Sequence, residues 1–356
     1  MTPRSRLGTR VTRLEADGPV AKVEDRGHGR MSSPVAATVT AVALVVVFVG
    51  WADRGEREVA TQASGSRMPA RIAAVKTDGR VVLLSSRNGR ELRTLATGGD
   101  SKTTVTVMPN LGRVLFDRPR SSKRGCGPRE IVSVPLAGGR VGRVTPVAGS
   151  SAQPSVSPDG KKLAFVNYQG PAGCTQPQSL AIKDVNSSGS VQGWSARDGR
   201  QCISAPSWAP DSRNIVFGLF TCHEKGIAPH VLDTHAWGQD LTATSSVPWP
   251  EAGVRLDGYA GATNAFLATE LLEKCPVGSP PCRYAVAVFD PATGQRRRVL
   301  FELPNGGFPQ RVATDRSGNH VLAVETGDRL YTWSDGDMKP RKVAEDVVAA
   351  AWVPRR

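Results

Sequence analysis

Two stretches of the chain repeat one pattern of hydrophobic and polar positions, 52 residues apart. Residues 154–166 read PSVSPDGKKLAFV, and residues 206–218 read PSWAPDSRNIVFG. In each stretch a short strand leads into a turn of the Pro-Asp-Gly type, and a continuous apolar run follows, which is typical of a buried strand. A fixed period of this length indicates stacked supersecondary units.

The same unit recurs six times between residue 71 and the C-terminus. Each unit has a first strand before the turn, an apolar second strand, a third strand after a loop, and a weaker fourth strand. Second strands are predicted at residues 71–75, 113–117, 162–166, 214–218, 264–268 and 320–324, and third strands at 81–84, 131–134, 180–184, 231–233, 284–290 and 330–333. Fourth strands are predicted at residues 92–95, 143–145, 191–194, 296–300 and 341–343. Four short strands per unit, repeated around an axis, are typical of a β-propeller.

A first strand can be recognised in five of the six units. The unit whose second strand is residues 71–75 has no first strand before it. The C-terminal sequence VAAAWVPRR is similar to the PSWAP segment of the repeat, so it can supply the missing innermost strand. This closure would remove the exposed edges of an open array. We predict an all-β fold, a six-bladed propeller over residues 71–356 closed by the C-terminal strand. An open solenoid is the alternative, but it would need caps that the sequence lacks.

The N-terminal region has a different pattern. Residues 34–52, PVAATVTAVALVVVFVGWA, carry no charge and as a helix would match a bilayer's hydrocarbon core. We predict a single transmembrane signal-anchor helix, preceded by a basic, disordered cytoplasmic tail at residues 1–33 and followed by a linker at 53–70. Cleavage of a signal peptide near Ala52 and a buried helix are the alternatives.

Cysteine placement predicts the orientation. All six cysteines follow the apolar segment, and an even number on one side fits disulfides in an oxidising compartment. We therefore expect a protein of the cytoplasmic membrane with its C-terminal domain outside the cytoplasm, or a secreted one if the signal is cleaved. The predicted pairs, in falling order of support, are Cys275 with Cys282, Cys202 with Cys222, and Cys126 with Cys174.

The phrases SPDGKKLAFV and WAPDSRNIVF resemble the repeat of TolB-type propellers, a WD-repeat-like family of bacterial envelope proteins. The resemblance covers residues 71–356 and is strongest in the third and fourth units. It implies a six-bladed extracytoplasmic scaffold that binds macromolecules at its faces without catalysis of its own. We expect a membrane anchor in the place of the small α/β domain that precedes the propeller in TolB, so binding of a peptidoglycan-associated lipoprotein is not carried over.

Net charge adds a candidate binding surface. The chain has a formal net charge of +14, and residues 71–150 hold fifteen Lys/Arg against five Asp/Glu, whereas residues 151–356 are nearly balanced. Much of the excess falls in RPRSSKRGCGPRE at residues 118–130. The candidates for partner binding are Arg118, Arg120, Lys123, Arg124 and Arg129. We expect an envelope protein or an anionic cell-wall polymer as the partner; nucleic acid fits poorly because the loop lacks aromatic residues for stacking. A merely solvated basic surface is the alternative.

Candidate chemistry is sparse. Asp159 and Asp211 occupy a recurring turn position and are interpreted as turn residues rather than catalytic acids. Residues 222–235, CHEKGIAPHVLDTH, contain several zinc-ligand types, but their spacing matches neither a helical H-E-x-x-H site nor a paired C-x-x-C site. No cofactor, metal or catalytic residue is therefore predicted. A propeller enzyme of the hydrolase or lyase type, with its site in the central channel, is the alternative function. The oligomeric state cannot be predicted from the sequence.

Overall fold

In the computed structural model, the second and third strands of every repeat are apolar because each sheet is covered on both faces by its neighbours. Strand His320–Glu325 is buried at all six positions, and the first two strands of the chain, Arg71–Lys76 and Val81–Ser85, are buried at four consecutive positions each. Outer strands are mostly solvent-exposed, as in Glu91–Ala96. Burial on both faces replaces the alternating pattern of a half-buried strand with a continuous apolar run.

The structure describes residues 68–120, 128–145, 149–168, 178–186, 192–195, 201–221, 228–233, 245–246, 249, 254–273 and 282–354. These residues form 24 strands in six four-stranded antiparallel sheets. The strands of the first half are β1 (Arg71–Lys76), β2 (Val81–Ser85), β3 (Glu91–Ala96), β4 (Val105–Met108), β5 (Arg113–Pro119), β6 (Arg129–Pro135), β7 (Gly142–Arg143), β8 (Ser150–Val156), β9 (Lys162–Tyr168), β10 (Gln178–Asp184), β11 (Gln192–Ser195) and β12 (Gln201–Trp208). Those of the second half are β13 (Asn214–Thr221), β14 (Ala228–Asp233), β15 (Ser245–Ser246), β16 (Val254–Tyr259), β17 (Phe266–Leu271), β18 (Tyr284–Phe289), β19 (Arg296–Glu302), β20 (Pro309–Thr314), β21 (His320–Glu325), β22 (Arg329–Ser334), β23 (Arg341–Ala344) and β24 (Val347–Val353), with a single 3₁₀ turn at Pro304–Gly306.

The sheets are the six blades of a propeller. Blade 1 has the order β24-β1-β2-β3, and blades 2 to 6 each use four consecutive strands, from β4-β5-β6-β7 to β20-β21-β22-β23. The predicted all-β, six-bladed architecture is confirmed.

The C-terminal strand closes the ring as predicted. In blade 1, Ile72 lies opposite Trp352 and Ala74 opposite Ala350. The indole Nε1 of Trp352 donates to the carbonyl oxygen of His320 in blade 6 over 3.2 Å, so this strand joins the last blade to the first.

The Pro-Asp-Gly turns hold neighbouring blades together. The Asn110 side chain donates to the carbonyl oxygen of Asp159 over 2.7 Å, and the amide of Asp159 donates to Ser212 Oγ over 3.0 Å. In blades 5 and 6 the contact is between glycines: a Cβ on Gly261 would lie 2.2 Å from the backbone nitrogen of Gly318. The turns of blades 2, 3 and 4 therefore contact one another in sequence, and so do those of blades 5 and 6.

Two predicted strand positions were wrong in detail. Residues 264–268 were expected as a second strand, but β17 begins at Phe266 because a turn closed by the hydrogen bond from the Ala260 amide to the Ala265 carbonyl includes residue 264. The fourth strand of blade 4, for which the sequence showed no candidate, is the two-residue β15.

The predicted membrane segment at residues 34–52 lies outside the described residues. Among those that the structure describes, no helix is long and apolar enough to span a bilayer.

Candidate functional site

The two faces of the propeller differ in what they carry. Since consecutive strands run antiparallel, the Pro-Asp-Gly turns lie on one face, here the turn face. The connections between blades and those between second and third strands lie on the opposite face, here the loop face. Every innermost strand begins at the loop face, so side chains near its start surround the mouth of the central channel.

In blade 2 an arginine and two aspartates form a dense ionic network at the loop face. Arg129 Nε lies 2.5 Å from Asp117 Oδ2, and Arg129 Nη1 and Nη2 lie 2.8 and 2.9 Å from the two oxygens of Asp100. Arg129 Nη2 also donates to Thr103 Oγ1 over 3.1 Å. Asp117 accepts in addition from the amide and the hydroxyl of Thr104. The guanidinium and both carboxylates are thereby fully engaged.

The hydrogen bonds alter the ionisation of Asp100. Burial by itself would raise the pKa of this carboxyl, but the hydrogen bonds and charge of Arg129 outweigh burial and hold the pKa below its usual range. Asp100 is therefore ionised at neutral pH.

In blade 5 the start of the innermost strand carries a second arginine and aspartate. Arg255 Nη2 lies 2.7 Å from Asp257 Oδ1, and Thr269 Oγ1 donates to the other oxygen of Asp257 over 2.7 Å. The guanidinium of Arg255 also donates to the carbonyl of Pro309 over 2.6 Å and lies 4.8 Å from the ring centroid of Phe308, within the range of a cation–π contact. Burial raises the pKa of Asp257, and Arg255 acts against this rise.

Arg311 in blade 6 differs from these two arginines. It follows a register shift between Pro309 and Arg311 in β20, an irregularity that re-aims side chains. Its side chain makes one hydrogen bond among the described residues, from Nη2 to the carbonyl oxygen of Lys102 over 3.2 Å. Burial lowers the pKa of Arg311, and the positive charges of Arg255 and Arg129 act in the same direction while Asp117 opposes them.

These side chains form one group, the channel-mouth cluster, consisting of Asp100, Asp117, Arg129, Arg255, Asp257 and Arg311. The Arg311 bond to Lys102 crosses from blade 6 to the connection between blades 1 and 2, and the Arg255 bond to Pro309 joins blades 5 and 6. Its three arginines and three aspartates sum to zero formal charge.

The predicted basic loop is only partly described. Arg118 Nη2 lies 2.9 Å from Glu130 Oε1, and Arg143 Nε lies 2.6 Å from the other oxygen of Glu130. The Arg120 amide donates to the Pro128 carbonyl over 2.9 Å, which closes the base of the loop. Lys123 and Arg124 lie outside the described residues. Of the five candidates for partner binding, Arg129 is the one placed in the channel-mouth cluster, with a side chain only 11% exposed.

The turn aspartates bind their own turns. Asp159 accepts from Ser157 Oγ over 2.6 Å and from the Lys161 amide over 3.0 Å. Asp211 accepts from the amides of Arg213 and Asn214 over 2.8 and 3.0 Å. Both carboxylates act as turn-stabilising acceptors.

The zinc-ligand types at residues 222–235 fall largely outside the described residues, as do Cys126, Cys174, Cys222 and Cys275, so the three disulfide pairings stay predictions. Within the described part of the chain, no group of three or more His, Cys, Asp and Glu side chains could hold a metal ion.

Sequence reasoning missed Arg255, Asp257 and Arg311. A usable signal existed: VRLDGY and PQRVAT place charged residues inside innermost strands, where the equivalent strands VTVM and VVAAAWV are uncharged. Charges in a strand that borders the channel can be tolerated only where partners or channel water solvate them.

The geometry defines a closed six-bladed β-propeller with a charged channel mouth. Its fold is similar to that of TolB from Acinetobacter baumannii, with a TM-score of 0.58 and 18% identity over 80% of this chain and 67% of that one. The chain thus has the TolB-type propeller fold predicted from its repeats.

Two further solved structures that align with the chain are of enzymes. The tricorn protease aligns with a TM-score of 0.50 and 12% identity over 80% of this chain and 30% of that one. Oligogalacturonate lyase in complex with manganese aligns with a TM-score of 0.49 and 14% identity over 77% and 78% of the two chains. No family model matches the sequence, and no curated protein matches it.

Proposed function

We propose that this protein is a non-catalytic, TolB-like binding scaffold that recognises an acidic envelope partner at the loop face of its propeller. The proposal rests on how the charged groups at that face are paired. The carboxylates of the channel-mouth cluster are occupied by arginines and hydroxyls, whereas one arginine, Arg311, has most of its donors open.

The engaged carboxylates favour binding over catalysis. A general acid or base must be within reach of a substrate proton, but Asp117 and Asp257 are only 1% and 6% exposed and accept hydrogen bonds from within the protein. Asp100 is more exposed, yet both of its oxygens are bound by Arg129. Their arrangement serves to hold arginines in position.

The basic loop at residues 118–130 begins and ends on the same face, at the end of β5 and the start of β6. Glu130 of this loop is shared by Arg118 and by Arg143 of β7, so one carboxylate pairs with two arginines there. Such a patch accelerates encounter with an acidic partner in a salt-dependent manner. An acidic protein surface and an anionic cell-wall polymer are the partners of this class.

Anchoring and disulfides belong to the same proposal. The chain is held in the cytoplasmic membrane by residues 34–52 with the propeller outside, and the loop face is cross-linked by the predicted disulfides. In support, Cys202 and Cys282 are each in the disulfide form, while their proposed partners lie outside the described residues. Peptide mapping of non-reduced protein tests the three pairs.

Affinity capture from membranes tests the proposed function. The full-length protein is compared with a variant in which Arg118, Arg120, Lys123 and Arg124 are all replaced by glutamate. The matched control reverses four exposed basic residues of the turn face, Arg87, Lys161, Arg316 and Lys339, and so makes the same change in net charge. We expect the loop-face variant to lose its partners and the turn-face variant to retain them; equal capture by all three proteins would contradict the proposal.

A further inference from the structure

Arg311 makes few hydrogen bonds for an arginine that is not exposed. A guanidinium carries five N–H donors, and here one hydrogen bond, to Lys102, is made. By contrast, Arg129 reaches Asp100, Asp117 and Thr103, and Arg255 reaches Asp257, Thr269 and Pro309. Arg129 and Arg255 are thus each paired with a carboxylate, whereas Arg311 is not.

The surroundings of Arg311 make its lack of a paired anion energetically unfavourable. The side chain is half-buried. Burial is the main cause that lowers the pKa of Arg311, the charges of Asp117 and Asp100 act against it, and those of Arg255 and Arg129 act with it. No carboxylate among the described residues lies within ion-pair distance of it. A partly desolvated charge without a paired anion is unfavourable in the free protein, and an incoming anion would relieve that cost.

The geometry also keeps the remaining donors accessible. None of the Arg311 nitrogens is among the buried polar atoms without a partner, so those that make no hydrogen bond retain some contact with solvent. The bond to Lys102 and the neighbouring Arg255, fixed by Pro309 and Phe308, restrict where the guanidinium lies. A preorganised planar fork of this kind matches a carboxylate or a phosphate.

The charge balance distinguishes between these two anions. The channel-mouth cluster is neutral, so a carboxylate would leave it with one negative charge, whereas a phosphate dianion would leave it with two, close to Asp100 and Asp117. The fixed aspartates therefore disfavour the dianion more strongly.

We propose that Arg311 is the receptor for a single carboxylate group that enters the central channel from the loop face. This inference deepens the proposed function by naming the chemical group recognised and the residue that binds it. Peptide carboxylates and acidic sugars both carry this group.

The experiment uses three probes that share a methyl group, acetate, acetamide and methyl phosphate, observed by saturation-transfer difference NMR with the purified full-length protein. The variant is Arg311→Gln. The matched control is Arg316→Gln, which removes the same charge from the same blade at the turn face. We expect acetate to bind the wild-type protein and Arg316→Gln, with methyl phosphate weaker and acetamide silent. Arg311→Gln should weaken acetate binding by about 10-fold to 100-fold, the loss of a charged hydrogen-bond pair.

A second variant guards against loss of folding. Arg311→Lys keeps the charge but not the planar fork, and we expect binding intermediate between wild type and Arg311→Gln. Thermal unfolding of each variant shows whether the propeller is intact. Equal acetate binding by Arg311→Gln and wild type, tighter binding of methyl phosphate than of acetate, or no binding of any probe to the wild-type protein would each overturn the proposal.

Two further probes separate the sources of the carboxylate. N-acetylglycylglycine, compared with its C-terminal amide, represents a peptide end, and glucuronate represents an acidic sugar. A probe that binds the wild-type protein but not Arg311→Gln supports the proposal and indicates the class of ligand. If the peptide, the sugar and acetate all fail to bind, the proposal is contradicted. Because these measurements need no macromolecular partner, they can fail or succeed independently of affinity capture with the loop-face variant.

Discussion

Arg129 Nε lies 2.5 Å from Asp117 Oδ2, and both side chains are almost withdrawn from solvent, with 11% and 1% of their surfaces exposed. The pair joins the end of β5 to the start of β6 in blade 2 and orders the connection that carries Asp100. Among the described ion pairs of blade 2, it is the least exposed to solvent.

Replacing Asp117 by asparagine should destabilise the protein by about 3–5 kcal/mol, because it leaves Arg129 with one of its two carboxylates and leaves a buried charge less compensated. Urea unfolding provides the measurement. The control is Asp335→Asn, which removes an exposed partner of Arg298 and should cost about 1 kcal/mol or less. Similar effects of the two changes would show that the buried pair has no special role.

Trp352 should be essential for closing the ring. Truncation to alanine is expected to cost about 3–5 kcal/mol, since a large buried side chain is removed from the final strand. Trp352→Phe keeps most of the ring but loses the donor to the His320 carbonyl, and we expect a smaller loss of about 1 kcal/mol. Met338→Ala, at a side chain that is 95% exposed, is the control with no expected effect. An alanine variant as stable as the wild type would contradict closure through β24.

Substitutions of Gly261 and Gly336 can separate the cost of backbone strain from the cost of contact between neighbouring turns. Both have positive φ, +60° and +95°, so alanine should cost about 1–2 kcal/mol at either position. At Gly261 a Cβ would also meet the Gly318 nitrogen at 2.2 Å, whereas at Gly336 it meets nothing within 4 Å. We expect the Gly261→Ala loss in thermal stability to exceed that of Gly336→Ala. Equal losses would mean that contact between turns of blades 5 and 6 is not restrictive.

Acid sensitivity should depend on Asp100. Its pKa is lower in the folded protein than the ordinary value of 3.8, so its contribution to stability is present above that value and is lost as the pH falls through the lowered pKa. Asp100→Asn should therefore reduce stability at pH 7 and flatten the dependence of the unfolding free energy on pH below about pH 5. Chemical denaturation from pH 7 to pH 2 measures this, and an unchanged slope in the variant would contradict the assignment.

The sequence alone determined the number of blades, the approximate positions of most strands and the closure by the C-terminus. These features depend on local patterns: apolar runs for strands covered on both faces, and a turn that recurs with each blade. Outer strands and the fourth strand of blade 4 were weaker or missing, since exposed, short strands need no apolar run.

The channel-mouth cluster was decided by the tertiary structure. Arg129, Arg255 and Arg311 are far apart in the chain and come from three different blades, so no local pattern relates them. Ring closure and the register shift in β20 bring them to one mouth, and only the resulting distances show that Arg129 and Arg255 are paired with carboxylates while Arg311 is not. Whether a charge is paired depends on long-range contacts, and these exist only once the six blades are assembled.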